Sequence, residues 1–316
     1  MTLRKFIGRI LLFLLSMCFC SGATVCAETS TPAIELMVLG SGGPGATGRA
    51  ASSYLVLIEG TPRILVDAGP GSFARLGEAK LSLAETDLVL LTHLHVDHAG
   101  ELPGLFKARA VSSGDSIVFK VWGPAGSGAK HEGAYFPSTS RFLELMFGKH
   151  GAFAYLRDFA APIAIQAHDI PAQLSSRPSS HVIFNEGGLV VTAIAGHHRD
   201  APAVIYRVEY AGKSITFSGD IDAKGLPGLR SIAKRSDLLV FNCVVLDPPG
   251  SRAVLYSLHT PPRAIGEVSK DAGVHQLLLS HLSPAVEENR DAVLESIHQN
   301  YTGYVSFAED GMRVSP

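Results

Sequence analysis

Short apolar runs separated by polar turns set the rhythm of this chain from Ile34 onward. Ile34–Leu39 (IELMVL), Ser52–Glu59 (SSYLVLIE), Arg63–Asp67 (RILVD) and Asp87–Thr92 (DLVLLT) are almost continuously apolar. Runs this short and this apolar predict strands buried on both faces. Helical patterns follow two of them, at Gly71–Leu81 and Glu101–Val111. Strand runs resume at Ser116–Trp122, Leu189–Ala195, Ala203–Gly212 and Ser214–Asp220. Strand then alternates with helix through Asp237–Asn242, Pro261–Gly273, His275–His281 and Val286–Asn300. Hairpins mixed with crossovers predict two mixed β-sheets packed face to face with helices outside, an αββα sandwich of the α/β class. No short-period repeat is visible.

One stretch breaks the rhythm. Between Gly123 and Gly187 the chain carries Tyr135, Phe136, Phe142, Phe147, Phe153, Tyr155 and Phe159 without clean strand alternation. A segment so long between core elements is usually functional or flexible. It is expected to form a cap-like insertion, at about residues 124–187.

The first 27 residues follow a different logic. Arg4, Lys5 and Arg9 precede an apolar run from Ile10 to Cys20, and small residues end at Ala27. That is the pattern of a secretory signal peptide cleaved after Ala27, with an uncleaved anchor as the alternative. The run is short for a membrane span, so no stable span is expected after cleavage, and the mature domain, residues 28–316, is expected to be periplasmic or secreted. The leader carries three of the 27 basic residues and none of the 29 acidic ones, so its removal leaves a mildly acidic chain. Such a balance offers nucleic acid no broad cationic surface. Three of the four cysteines fall in the leader; Cys243 follows an apolar strand and reads as a buried small hydrophobe.

The chemistry gathers after the strand Asp87–Thr92, where HLHVDH places His93, His95, Asp97 and His98 within six residues. Such groups are costly to desolvate unless something compensates them. Either the loop is solvated, or a metal sits there; imidazole nitrogen and carboxylate oxygen both suit zinc. Partners lie downstream. Asp220 ends one apolar strand, His281 another, and His198 follows a third. Polar residues at the ends of buried strands meet at one sheet edge, where sites on such folds are built.

LVDAG at Leu65–Gly69, HLHVDH at His93–His98, His198, SGD at Ser218–Asp220 and His281 occur in the order found in the metallo-β-lactamase fold superfamily, which the chain resembles over nearly all of residues 28–316. The resemblance makes His93, His95 and His198 ligands of one metal and Asp97, His98 and His281 ligands of the other, with Asp220 as the bridge. It casts Asp67 as the residue that orients the ligand loop. His197 is the competing neighbour of His198; the spacing to Pro202–Val208 favours His198. An aspartate at 220 departs from those β-lactamases that carry a thiolate there, which weakens an antibiotic-hydrolysing reading.

Within the superfamily the chain is most similar to the ribonuclease Z and arylsulfatase branch. Three stretches carry this likeness: VLGSGGPGATGRAASSYLV, YRVEYAGKSITFSGD and LHTPPRAIGEVSKDAGVHQLLLSHLSP, in which His259 lies 22 residues before His281, as the catalytic histidine does in that branch. The glycine loop lacks the GK[ST] ending of a nucleotide P-loop; its glycines permit close backbone approach beside the site. The resemblance implies two Zn2+ ions, with Mn2+ or Fe2+ as alternatives, and hydrolysis of a phosphate or sulfate ester. Asp97 and Asp220 would orient the attacking water, and His259 would protonate the leaving oxygen. A small-molecule ester is the expected substrate, because transfer RNA suits an exported, acidic chain poorly. Thioester or lactone hydrolysis and a non-catalytic metal-binding module are the alternatives. Relatives often dimerise, so a homodimer is a further expectation.

Overall fold

The computed structural model describes residues 31–113, 115–127, 135–159, 161–199 and 201–316. The predicted leader lies outside the described residues. The strands are β1 Ile34–Gly40, β2 Ser53–Ile58, β3 Thr61–Ala68, β4 Leu88–Leu90, β5 Ile117–Pro124, β6 Ile163–Ile170 and β7 His181–Glu186. They continue as β8 Leu189–Ala195, β9 Val204–Tyr210, β10 Lys213–Phe217, β11 Leu238–Asn242, β12 Gln276–Ser280, β13 Tyr304–Phe307 and β14 Arg313–Val314. Two seven-stranded sheets result, in the orders β14-β1-β2-β3-β4-β5-β6 and β13-β12-β11-β10-β9-β8-β7. Both are mixed. Pairing is antiparallel from β14 through β3 and parallel from β3 to β6. In the second sheet it is antiparallel from β7 through β10 and parallel from β10 to β13.

The two-residue alternation of side chains explains why the strands read as solid apolar runs. In β1, Leu36 and Val38 enter the core between the sheets with Val56, Val66, Tyr206 and Phe217. Met37 and Leu39 point the other way, into the layer beneath the helices α1 Ser72–Glu78, α3 Leu102–Ser112 and α4 Thr139–Phe147. The second sheet does the same with Leu239, Phe241, Leu277 and Leu279, which pack against α5 Leu226–Ile232, α6 Pro262–Ala272, α7 Pro284–Glu288 and α8 Arg290–His298. Each fully buried Leu, Ile or Phe contributes about 1.5–3 kcal/mol relative to exposure, so both faces of both sheets hold the sandwich together.

Two expectations change. The single helix predicted over Val286–Asn300 is two, because Ser283 caps α7 by accepting from Val286 N at 3.3 Å and Asn289 leaves helical geometry at φ −127°. Much of the segment expected to be a cap is part of the sandwich. Helix α4, capped by Ser138, buries Leu143 and Phe147 in the first outer layer, where Phe147 stacks on Phe106 at 5.2 Å and Phe106 on Phe119 at 3.9 Å. Strand β6 extends the first sheet in eight-residue register with β5. Strands β6 and β7 are the sheet edges, and their exposed positions leave too few apolar residues for a buried-strand pattern. Among the described residues no helix is long and apolar enough to cross a membrane.

Candidate metal centre

The sheets bring their loop-bearing strand ends to one place. β3 closes on Asp67, and the loop after β4 carries Thr92 to His95 and leads into the short helix α2 Val96–Ala99, whose first turn presents Asp97 and His98. From the second sheet, His198 follows β8, Asp220 follows β10, and His281 follows β12, while His259 stands just before α6. Asp220 is the hub. Its Oδ2 lies 3.5 Å from His281 Nε2, 3.6 Å from His198 Nε2, 3.7 Å from His98 Nε2 and 3.9 Å from both His93 Nε2 and His259 Nδ1.

Two glycines let the loops approach this closely. Gly219 has φ +56°, and a Cβ there would sit 2.7 Å from Thr92 Cβ, so the SGD turn passes the histidine loop only without a side chain. A Cβ on Gly43 would sit 2.5 Å from His281 Cε1. The glycine loop is thus a wall for the His281 ring.

Hydrogen bonds fix which ring nitrogen of His98, His93 and His198 faces the centre. A carboxylate only accepts, so Asp67 Oδ2 at 2.7 Å places the proton of His98 on Nδ1 and leaves Nε2 for the centre. Asp67 also accepts from Thr92 N at 2.7 Å and Thr92 Oγ1 at 2.8 Å. With its own proton so committed, Thr92 Oγ1 accepts from His93 Nδ1 at 3.2 Å. His198 donates from Nδ1 to the Leu258 carbonyl at 2.8 Å. Asn242 donates from Nδ2 to Asp220 Oδ1 at 2.7 Å and leaves Oδ2 to the histidines. Such outer partners fix the tautomer and raise the basicity of a metal ligand.

The donor atoms fall into sets that could hold a metal ion. His93, His95 and His198 form one; Asp97, His98 and His281 form another; Asp220 groups with His93 and His98, and again with His198 and His259. His93 Nε2 lies 3.1 Å from His95 Nδ1, and His281 Nε2 lies 3.1 Å from Asp97 Oδ2. His98 Nε2 is buried without a hydrogen-bonding partner in the described structure, as is His259 Nδ1. Buried polar atoms are rarely left unpaired, and nitrogen and oxygen donors in these groupings fit zinc.

Charge follows burial and neighbours. Burial holds the His93 imidazole well below its usual range, reinforced by His98, and lowers His95 too. Burial pushes His259 down to about 4 against the pull of Asp220. For Asp220 burial acts upward, but His281, His98 and His259 outweigh it and hold the carboxyl well below its usual range. Asp97 is lowered likewise, burial being outweighed by the His281 contact and His98. His98 moves up despite burial, because Asp67 and Asp220 flank it. The lowered imidazoles of His93 and His95 and the lowered carboxyls of Asp97 and Asp220 favour the deprotonated forms that a metal requires, while His98 would release its Nε2 proton on binding one.

Asp67, His93, His95, Asp97, His98, His198, Asp220, His259 and His281 are therefore in or against this cluster, and contacts distinguish His198 from its neighbour. His197 turns away and donates from Nδ1 to Asp222 at 2.7 Å, while His198 faces Asp220. Cys243 is fully buried, and burial pushes its thiol up to about 12. Sequence reading missed Asn242, a polar residue ending an apolar strand as His281 does. Phe136, one of the aromatics of the segment between Gly123 and Gly187, has its ring 5.7 Å from that of His95. Beside the cluster runs a cleft of about 610 Å³, bordered by Gly126, Ser127, Gln173, His197, Arg199 and Lys224.

A model of the beta-lactamase superfamily domain matches residues 62–282. The chain is 28% identical over 271 residues to a ribonuclease Z from Mycobacterium sp. (strain KMS), covering 82% of this chain and 87% of that protein. Among solved structures it is similar in fold to human tRNase Z, short form (TM-score 0.65, 22% identity, 89% of this chain and 98% of that one). The metallo-β-lactamase fold protein YhfI from Bacillus subtilis is similar to the same degree (TM-score 0.65, 19% identity, 89% and 98%). The matched span takes in the whole cluster from Asp67 to His281 and most of both sheets, so the chain belongs to the metallo-β-lactamase superfamily and is a hydrolase of that fold.

Proposed function

We propose that this chain is an exported binuclear zinc hydrolase that cleaves a phosphodiester, with an aryl sulfate as the nearest related substrate. The observation that carries the reading is the convergence of five imidazoles on Asp220 Oδ2, with His98 Nε2 and His259 Nδ1 buried and unpaired beside it. His93, His95 and His198 would hold one ion, Asp97, His98 and His281 the other, and Asp220 both. Bound there, zinc supplies Lewis acidity that polarises the ester and acidifies water.

The chain's own residues do the rest. Asp97 and Asp220 are ionised and accept the proton that the attacking water gives up. His259 stands within reach of Asp220; after taking up the proton that the attacking water releases, it would act as the imidazolium and pass that proton to the leaving oxygen, a role worth about 10²–10⁴ in rate. Phe136 beside His95 offers an apolar wall to the alcohol or phenol portion of the substrate. The name ribonuclease Z carried by the curated relatives is that of a phosphodiesterase, which supports phosphorus ahead of sulfur. The acidic balance and the leader-like first 27 residues support a small substrate outside the cytoplasm over transfer RNA.

The test is turnover of bis(4-nitrophenyl) phosphate, 4-nitrophenyl sulfate, a thioester and a lactone by zinc-loaded protein. The phosphodiester should be cleaved, EDTA should abolish cleavage, and added zinc should restore it. Turnover of the thioester or lactone alone, or activity indifferent to EDTA, would overturn the reading.

A further inference from the structure

His197 is not used by the metal sets, yet it is held with unusual care. Asp222, only 6% exposed, accepts from its Nδ1 at 2.7 Å, and the same carboxylate accepts from Lys224 N at 2.8 Å and Arg199 N at 3.3 Å. In return the Asp222 amide donates to the His197 carbonyl at 2.9 Å. One buried carboxylate thus sets the positions of three residues that border the cleft, His197, Arg199 and Lys224. The loop is already stitched through the backbone amides; the imidazole adds something else. Its Nε2 has no partner among the described residues, and its side chain is 21% exposed on the cleft wall.

The chemistry of that nitrogen follows from Asp222. Both carboxylate oxygens accept hydrogen bonds, so the proton of the neutral ring lies on Nδ1 and Nε2 presents a lone pair. A lone pair recognises a donor. No carboxylate borders the cleft among the described residues, and Lys224 on the same wall is a cation that needs an acceptor. A hydroxyl can serve either group, giving its proton to His197 Nε2 or offering its oxygen to Lys224. His197 is the chain neighbour of His198, and Ser127 on the cleft's border donates from its backbone to the carbonyl of Phe136, the residue against His95.

We propose that His197 is a specificity-determining residue that accepts a hydrogen bond from a hydroxyl on the alcohol arm of the substrate, with Asp222 as its positioning residue, so that the preferred ester is one of a sugar or polyol. This rests on the reading of the centre as an ester hydrolase, and two ligands separate the two claims. Ribitol 5-phosphate and pentyl phosphate share a five-carbon chain and a phosphate and differ only in hydroxyls.

The experiment is calorimetric binding of each to the zinc-loaded protein, with turnover of bis(4-nitrophenyl) phosphate measured in parallel. Wild type should bind ribitol 5-phosphate roughly tenfold more tightly, the scale of one or two net hydrogen bonds. His197→Asn keeps a donor for Asp222 but removes Nε2, and should reduce the preference to within about twofold while zinc content stays unchanged. The ¹⁵N resonance of His197 Nε2 should be that of an unprotonated nitrogen and should move on adding ribitol 5-phosphate and not pentyl phosphate. Asp222→Asn, whose amide can donate to Nδ1, should switch the proton to Nε2 in the same spectrum, which a purely structural Asp222 would not do. Equal affinity for the two phosphates with nitrophenyl turnover intact would overturn the His197 assignment alone, as would a preference retained in His197→Asn. Absence of both binding and turnover would overturn the hydrolase reading and this assignment with it.

Discussion

In the first half of the sandwich, the antiparallel strands β1-β2-β3 give way to the parallel run β3 to β6; in the second, the antiparallel strands β7 to β10 give way to the parallel run β10 to β13. Each half places an aspartate at the end of the strand where the pairing changes, the position at which open sheets build sites. Asp67 closes β3 and Asp220 follows β10. Their uses diverge. Asp67 is saturated by three donors, Thr92 N, Thr92 Oγ1 and His98 Nδ1. Asp220 receives a protein donor only at Oδ1, from Asn242, and turns Oδ2 to the imidazoles. What separates a scaffolding carboxylate from a ligating one is the number of fixed protein donors around it, not its place in the topology.

That contrast can be broken by substitution, and the largest effect should come from Asp220. Asp220→Ala removes the hub shared by both donor sets and should abolish nearly all ester turnover; retained activity would sink the contrast at once. Next is His259→Ala, which should slow alkyl phosphodiesters by about 10²–10⁴ and nitrophenyl ones far less, with zinc unchanged. A nitrophenolate departs without a proton, so equal losses would assign His259 to binding or structure. Asp67→Asn should cost about 10–100-fold in zinc affinity or activity, the usual effect of disturbing an outer partner, because an amide cannot accept from all three donors. The smallest loss, roughly threefold to tenfold, is expected for Asn242→Ala, which removes one hydrogen bond and leaves Asp220 in place. A larger penalty for Asn242→Ala than for Asp67→Asn, measured by competition with a zinc chelator, would reverse the assignment of roles.

The halves also differ in how plainly the sequence announces them. The first half writes its ligands in one loop, His93 to His98, so the cluster is legible as a local excess of costly polar groups after a buried strand. The second half scatters His198, Asp220, His259 and His281 across four loops, and only their recurrence at the ends or beginnings of core elements links them. Asn242 obeys the same rule and was overlooked because an amide does not draw attention as a ligand does. What turns His198 toward the cluster and His197 away from it is Asp222 and Leu258, which fold back from 25 and 60 residues away; spacing in the sequence carries no trace of either contact. The sheets were legible where both faces are buried. Strands β6 and β7, with one or both faces open, lacked that signature, and the aromatics of the segment around α4 suggested a cap although Leu143 and Phe147 form an i,i+4 pair that packs inward.

Two metal ions should lie between the halves, each held by ligands from both. Zinc content per chain in wild type, His198→Ala and His281→Ala, measured by plasma mass spectrometry after equilibration with limiting free zinc, tests it most directly. Wild type should carry two ions and each variant one, since His198 belongs to one donor set and His281 to the other. A single ion in wild type, or two ions retained in both variants, would contradict it.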